Sequence, residues 1–517
     1  MFKTTAAGKP VDYTRFFVDP HWWLFCFLIM ALNFLLLAFD PLPKLFMGDS
    51  ESYLWTAWSG WMPPDRSFLY GYVIRWSSLW TGSLTSLLIL QAFLGAATSL
   101  VVAIVCRSVL GLAPGLSYLF GVLCSLDPLQ LVWERYVMTE TVSLFFYALV
   151  LLFSFLYLKQ RRLWQLAIVQ ILSLLVISFR MSYLLVVQVS AFVLPLIAFL
   201  PEIRAAFWKH PSTLSKTSAI KSAGLHLTFS ILLMFVLQQG YRLLNGRLAG
   251  REPALLHNSG LAILTTWAPA LKPSDSPDPR LAELIAEGDQ FRLNNIWWRD
   301  VQLYSPEGLV GRWRRIEPND AIANQVAKQT ALNALLRRPT GVVTLGAKTF
   351  LGYWDFKRIN RQAKRELGKA LNNWPKERPW NVAPHFHLSP PTARENKTNT
   401  LSQWYFLRSQ PYYYIVLLSP FVCVGLLFFL AEGYVFLLCL HSWILFGTIT
   451  ILSKDASVRY LQPMSLLTIL IFAAFVKALI DRRSQPTSIG IHEHLHFEKR
   501  RSDRQPLDSP PMQEKEA

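Results

Sequence analysis

The sequence predicts an all-α polytopic membrane protein, and three observations carry that prediction. Hydrophobic residues make up 52% of the chain and charged residues only 16%, against roughly 25% charge in an average soluble protein. Uninterrupted apolar runs recur at about 18 to 25 residues, the length needed to cross a hydrocarbon layer of roughly 30 Å at about 1.5 Å per residue. Lipid offers the backbone no hydrogen bonds, so each run must be helical.

Taken in order, about ten transmembrane helices are expected, near 21–39, 84–106, 111–126, 140–158, 163–179, 182–200, 222–240, 411–431, 433–452 and 457–480. The first follows Lys3, Lys9 and Arg15 but is too long for a signal-peptide core and lacks a small-residue cleavage site, so it reads as a retained anchor. The fifth and sixth are short and joined only by Arg180-Met181. Lysine and arginine in short loops favour the cytoplasmic side. With a cytoplasmic N-terminus, 13 of them fall inside and 7 outside. Both termini are therefore expected in the cytoplasm, and a bacterial inner membrane with the functional face outward is the expected setting. The five cysteines all lie in apolar runs, which implies no disulfide framework and leaves a eukaryotic internal membrane equally open on that criterion.

Four parts follow. Residues 1–240 form an N-terminal transmembrane block that includes a first outside loop, 40–83, and residues 241–410 form a large extracytoplasmic loop domain. Residues 411–483 form a C-terminal transmembrane block, and 484–517, rich in charge, proline and serine, are expected to be a disordered cytoplasmic tail. The loop domain carries 25 Lys and Arg against 14 Asp and Glu, a net +11. Such a surface attracts phosphorylated substrates or anionic lipid headgroups, and lipid anchoring alone would explain it equally well. Within it, 321–337 has helical periodicity, Pro339-Thr340-Gly341 breaks the pattern, and Val342 to Trp354 is apolar but too short to span, so it should pack on the membrane face or roof a cavity. Asn396-Lys397-Thr398 matches a glycosylation acceptor, a pattern short enough to recur by chance.

Charged residues beside hydrocarbon are the functional clue. Asp49-Ser50-Glu51-Ser52-Tyr53 follows the first span, and Tyr53, Leu54, Ala57, Trp58 and Trp61 continue it at helical spacing, as an interfacial helix would. Interfacial anchoring accounts for the tryptophans and leaves Asp49 and Glu51 unexplained. A partly desolvated carboxylate suits a general base; Asp49 could equally cap the helix. Glu134-Arg135 could be a local ion pair, and Glu140 fits the first turn of the fourth span, where the helix dipole favours negative charge. Arg180 and Arg459, each at the end of an apolar run, either meet a phosphate with the planar guanidinium fork or snorkel to lipid headgroups. His492-Glu493-His494-Leu495-His496 satisfies H-E-x-x-H literally, but a polar tail is the wrong context for that zinc chemistry. No phosphate-cradling glycine loop or nucleotide fingerprint is present, so the energy of any transfer is expected to reside in the substrate.

Gly48-Asp49-Ser50-Glu51-Ser52-Tyr53 after span one, Val137-Met138-Thr139-Glu140 and Arg459-Tyr460-Leu461-Gln462-Pro463 before the last span resemble the GT-C superfamily. These are polytopic glycosyltransferases that use lipid-phosphate-linked sugars, including protein O-mannosyltransferases and the transferases that add aminoarabinose to lipid A. The resemblance covers the N-terminal block and the last span. It implies a GT-C-like fold in which Asp49 is the first-loop base or acceptor-binding carboxylate, with Glu51 as the alternative because Ser50 interrupts the usual adjacent pair. It also implies Glu140 as the second acidic position and Arg459 as the arginine that meets the donor phosphate. Arg135, Arg180, Tyr53 and Tyr460 join them as substrate-binding candidates. The implied donor is a polyprenyl-phosphate sugar and the acceptor a lipid, glycan or protein hydroxyl, with membrane lipids as partners and no nucleic acid. No cofactor is required, although a divalent cation held by Asp49 and Glu140 is compatible with the pattern. A flippase or transporter of a lipid-linked sugar, or a cell-envelope assembly protein, is the rival expectation.

Overall fold

A computed structural model describes residues 19–208, 213–367, 382–388, 399–430 and 432–484. The tail motif His492–His496 and the acceptor pattern at Asn396 lie outside these residues. Among them the structure is helical, with no strand and a single isolated bridge between Lys44 and Tyr136.

In chain order the helices are α1 (Pro20–Phe39), α2 (Met47–Ser59), α3 (Leu69–Ile74), α4 (Thr85–Ile104), α5 (Pro114–Ser125), α6 (Pro128–Trp133), α7 (Glu140–Gln160), α8 (Leu163–Phe179), α9 (Leu184–Trp208) and α10 (Thr213–Ala249). The hydrophilic segment then contributes α11 (Ser259–Thr266), α12 (Pro279–Ala286), α13 (Arg299–Tyr304), α14 (Leu309–Ile316), α15 (Asp320–Arg337), α16 (Pro339–Tyr353) and α17 (Phe356–Glu366). α18 (Leu401–Arg408), α19 (Gln410–Phe429), α20 (Gly433–Ile451) and α21 (Gln462–Ser484) close the described chain. All ten expected apolar positions hold a helix. Eight of these are long and apolar enough to cross a membrane, which makes this a multi-pass membrane protein; α5 and α8, of 12 and 17 residues, are shorter.

The helices are built as lipid-facing helices must be. In α1 the buried residues Trp22, Phe25, Ile29, Asn33 and Leu37 recur every three or four positions. Its other faces expose Trp23, Leu24, Phe27, Leu28 and Leu35, a surface that would be costly in water and is neutral in hydrocarbon. Proline opens α1, α5, α6, α16 and α19 within their first turn, where its missing N–H has no intrahelical partner to lose.

The hydrophilic segment has its own core. Leu261, Leu264, Leu281, Leu309 and Val310 pack around Trp313, whose indole N–H donates to the Ala323 carbonyl at 3.1 Å. α16 begins at Pro339, so the Pro-Thr-Gly break starts a helix rather than a gap. It then lies against the end of α20: Phe350 meets Phe446 edge-on with ring centroids 5.2 Å apart, and Trp354 stacks on Tyr414 of α19 at 5.1 Å. Packing on the apolar block, anticipated for this stretch, is what α16 does, and it carries α17 over the ends of α19 to α21.

Candidate active site

Asp49 owes its position to the serine beside it. α2 starts at Met47 with Phe46 at the N-cap, so Asp49 lies in the first turn and does not cap the helix. Ser50 does the anchoring: its hydroxyl is fully buried, accepts from the Phe46 N–H at 2.7 Å and donates to the Val137 carbonyl at 2.9 Å. The paired Lys44 and Val137 backbone bonds, 2.8 and 2.9 Å, fasten the same loop to the turn that leads into α7. The residue that separates Asp49 from Glu51 is therefore the structural one. On a helix the two carboxylates diverge, and both still line one cavity.

That cavity has a volume of about 1370 Å³ and lies between α2 and the loop that joins it to α3, the ends of α7, α8 and α21, and α13 and α17 of the hydrophilic segment. Its lining includes the apolar side chains of Phe46, Ile177 and Phe179 together with a charged network. Glu140 is fully buried at the first residue of α7 and accepts from the Nε of Arg459, while Arg180 Nη2 lies 3.7 Å from it. Arg459 also donates from Nη1 to Asp49 Oδ2 at 3.0 Å, and Arg66 donates from Nη1 to Asp49 Oδ1 at 2.6 Å. Arg180 is steadied by Gln462 Oε1 at 3.2 Å, and Arg66 by Asp65 at 2.8 Å. Phe46 lies under the Arg459 guanidinium, 4.6 Å from its carbon.

Electrostatics follow from these contacts. Burial pushes the Asp49 carboxyl up, but the Arg66 and then the Arg459 guanidinium outweigh it, leaving the group below its usual value and ionised. The three arginines are matched in number by the three carboxylates they hold, Asp49, Asp65 and Glu140, in a setting where screening by solvent is weak.

The sequence candidates divide. Asp49, Glu51, Tyr53, Arg180, Arg459 and Tyr460 line the cavity, and Glu140 is joined to it through Arg459 and Arg180. Tyr53 is mostly packed, 5.0 Å edge-on from Tyr70. Arg135 is not brought there. It is 1% exposed, 3.4 Å from Glu134, and borders a small apolar pocket with Leu36, Leu131 and Trp404. The lining residues not anticipated include Arg66 in the first loop, Lys454 before α21, and Tyr304 and Glu366 from the hydrophilic segment. Burial lowers Lys454 to about 8, and its ammonium sits 4.8 Å from the Tyr304 ring. Burial raises Glu366 to about 7, with Ser457 and Arg459 acting in the opposite sense. Arg66 could have been suspected from its loop; Glu366 carried no signal, because it is one of several charges on a helix rich in lysine and arginine.

Asp49 and Glu140 do not frame an open cation site, because the Arg459 guanidinium bridges them. Among the described residues, no three or more His, Cys, Asp or Glu side chains gather as metal ligands. Comparison with protein families, curated proteins and solved structures returns no match to this chain. The resemblance to GT-C enzymes rests on the motifs alone.

Proposed function

We propose that this protein is a membrane glycosyltransferase that moves a sugar from a polyprenyl-phosphate donor to an acceptor hydroxyl. The observation that carries the reading is the convergence of Arg66, Arg180 and Arg459 in one large cavity whose lining also includes the apolar side chains of Phe46, Ile177 and Phe179. Such a pairing suits a ligand that joins a phosphate to an isoprenoid chain. Guanidinium forks bind phosphate oxygens bidentately, and Ile177 and Phe179, at the end of α8, offer the chain an apolar surface. The GT-C-like motifs, which contribute Asp49, Tyr53, Arg459 and Tyr460 to this same cavity, imply the same substrate class.

The reaction is a displacement at the anomeric carbon. The acceptor oxygen loses its proton and bonds to that carbon, while the bond to the phosphate oxygen breaks and its electron pair leaves with the polyprenyl phosphate. Charge on the phosphate rises as that bond breaks. Arginines fixed beforehand by Asp49 and Glu140 stabilise it without reorganising, which is where preorganised electrostatics contributes most. Donor sugar and acceptor class are left open by this chemistry. The full reading has ten spans, with α5 and α8 as short ones, both termini cytoplasmic, the segment 241–410 outside, and a bacterial inner membrane as the setting.

The test uses the full chain in lipid nanodiscs. Undecaprenyl phosphate, the product common to any sugar on that carrier, should bind, and Arg66→Gln should weaken binding about tenfold, equivalent to ~1.4 kcal/mol. Labelled undecaprenyl-phosphate hexose or pentose should yield free carrier. No binding and no release would sink the proposal. In sealed vesicles, carrier-linked sugar that crosses the bilayer unchanged would replace it with a transporter.

A further inference from the structure

Resting on the transferase reading, we infer that Glu366, and not Asp49, takes the proton from the acceptor hydroxyl. Other carboxylates at the cavity are already engaged. Asp49 has one oxygen on Arg66 and the other on Arg459, 2.6 and 3.0 Å away. A carboxylate clamped by two guanidiniums at both oxygens is a weak base, because accepting a proton means surrendering both contacts. Glu140 has both Arg459 Nε and Arg180 Nη2 on its Oε1, the latter at 3.7 Å, and its Oε2 accepts from the Thr139 hydroxyl at 3.4 Å. Asp300 accepts from Arg365 at 2.8 Å and from the Val301 N–H at 2.8 Å.

Glu366 differs in each respect. It ends α17, lines the cavity and is 1% exposed. Arg459 and the Ser457 hydroxyl are near it and favour its charged form, but no guanidinium is bonded to it: the Gln362 amide reaches its Oε1 at 3.4 Å, and no donor meets its Oε2 at hydrogen-bond distance among the described residues. An oxygen of this kind is costly to bury and is normally satisfied, so it is placed to meet a donor from the ligand. An acceptor hydroxyl is such a donor.

The step balances. The acceptor O–H proton passes to Glu366 as the acceptor oxygen bonds the anomeric carbon, and the carbon–oxygen bond to phosphate breaks with its electron pair on the departing oxygen beside Arg459. Glu366 then releases the proton to water. Near-neutral protonation suits that cycle, since a base is most effective when its affinity lies near the working pH. The charged and titratable groups facing Glu366 are Arg459, Asp455, Tyr353, Tyr136, Tyr413 and Tyr460. Burial raises Tyr136 and Tyr353, which keep their protons throughout the relevant range, and it raises Asp455 as well.

The experiment measures carrier release from an undecaprenyl-phosphate sugar, with glycerol as acceptor alcohol, between pH 5 and 9 in nanodiscs. Wild-type kcat should rise to a plateau through about pH 7, as expected for a group raised to about 7 by burial. Glu366→Gln should lower kcat about 100-fold, abolish that rise, and leave undecaprenyl-phosphate binding within about twofold, in keeping with loss of one general base. Glu366→Asp should retain a weaker, pH-dependent rate, which separates proton transfer from folding. The inference is overturned if Glu366→Gln keeps wild-type kcat, or if the rise vanishes in Asp49→Asn or Glu51→Gln and persists in Glu366→Gln. Wild-type protein that neither binds undecaprenyl phosphate nor releases it would instead overturn the transferase reading itself.

Discussion

Burying a carboxylate with one oxygen unsatisfied costs stability, and Glu366 carries that cost. Its value in the folded protein is about 7, above the 4.5 of a free glutamate. The folded state therefore holds a proton that the unfolded chain has released, and the resulting advantage is complete below about pH 4.5 and lost as pH rises through about 7. A shift of this size corresponds to about 3 kcal/mol. Glu366→Gln removes the titration while preserving shape, so the variant should unfold at a higher temperature than wild type at pH 8 and converge with it near pH 4.5. A scan of unfolding temperature against pH for both proteins checks this; a constant difference across the range would contradict it. At Arg459 the geometry of the fork matters more than its charge. Its Nε holds Glu140 and its Nη1 holds Asp49, and a single lysine ammonium cannot span the two carboxylates. Arg459→Lys should therefore lower undecaprenyl-phosphate affinity about tenfold, ~1.4 kcal/mol, read by titration calorimetry, although the charge is unchanged. Asp49, Glu140, Arg180 and Arg459 were all legible in the sequence because charge beside hydrocarbon is conspicuous. Glu366 was not, since nothing in Lys364-Arg365-Glu366-Leu367 says which charge turns inward.

Among the elements, most helices of the membrane block were readable within a few residues because composition and length fix them, while α9 runs past its expected end at 200 to Trp208 and α10 extends over Thr213–Ala249 in place of 222–240. α5 is shorter than the apolar run 111–126 suggests because Gly111 adopts a left-handed backbone and Pro114 begins the helix. The hydrophilic segment depends on closer packing than periodicity reveals. At the crossing of α11 and α15, Asn324 accepts from the Gly260 N–H at 2.8 Å, and a Cβ at Gly260 would lie 2.1 Å from the Asn324 carbonyl oxygen. Gly260→Ala must push two helices apart. We expect it to cost about 2 kcal/mol, in the range of overpacked cores, and to expose 259–337 to limited proteolysis while the membrane block stays resistant. Equal protease resistance in variant and wild type would show that the crossing can relax.

At the scale of the whole molecule, α10 is the element that ties the two halves together. Its 37 residues extend about 55 Å at roughly 1.5 Å per residue, well beyond a hydrocarbon layer of about 30 Å. It can cross the membrane and still deliver the chain to the segment that roofs the cavity. Sidedness follows as a prediction. In intact cells, Ser274→Cys in that segment should react with a membrane-impermeant maleimide, whereas Arg162→Cys, between α7 and α8, should react only after permeabilisation. Both positions are exposed; the reverse labelling pattern would invert the topology. The sequence by itself determined the class, the succession of helices and the charged residues that solvent and lipid make expensive to misplace, because hydrophobic length and charge act locally along the chain. Only the tertiary structure decided that residues as distant as Asp49, Arg180, Glu366 and Arg459 face one cavity, that Arg135 faces elsewhere, and that Asp49 is clamped while Glu366 keeps one oxygen without a hydrogen-bond partner. Those outcomes depend on which helix ends meet and on how burial balances against neighbouring charge, neither of which has a signature in the order of residues.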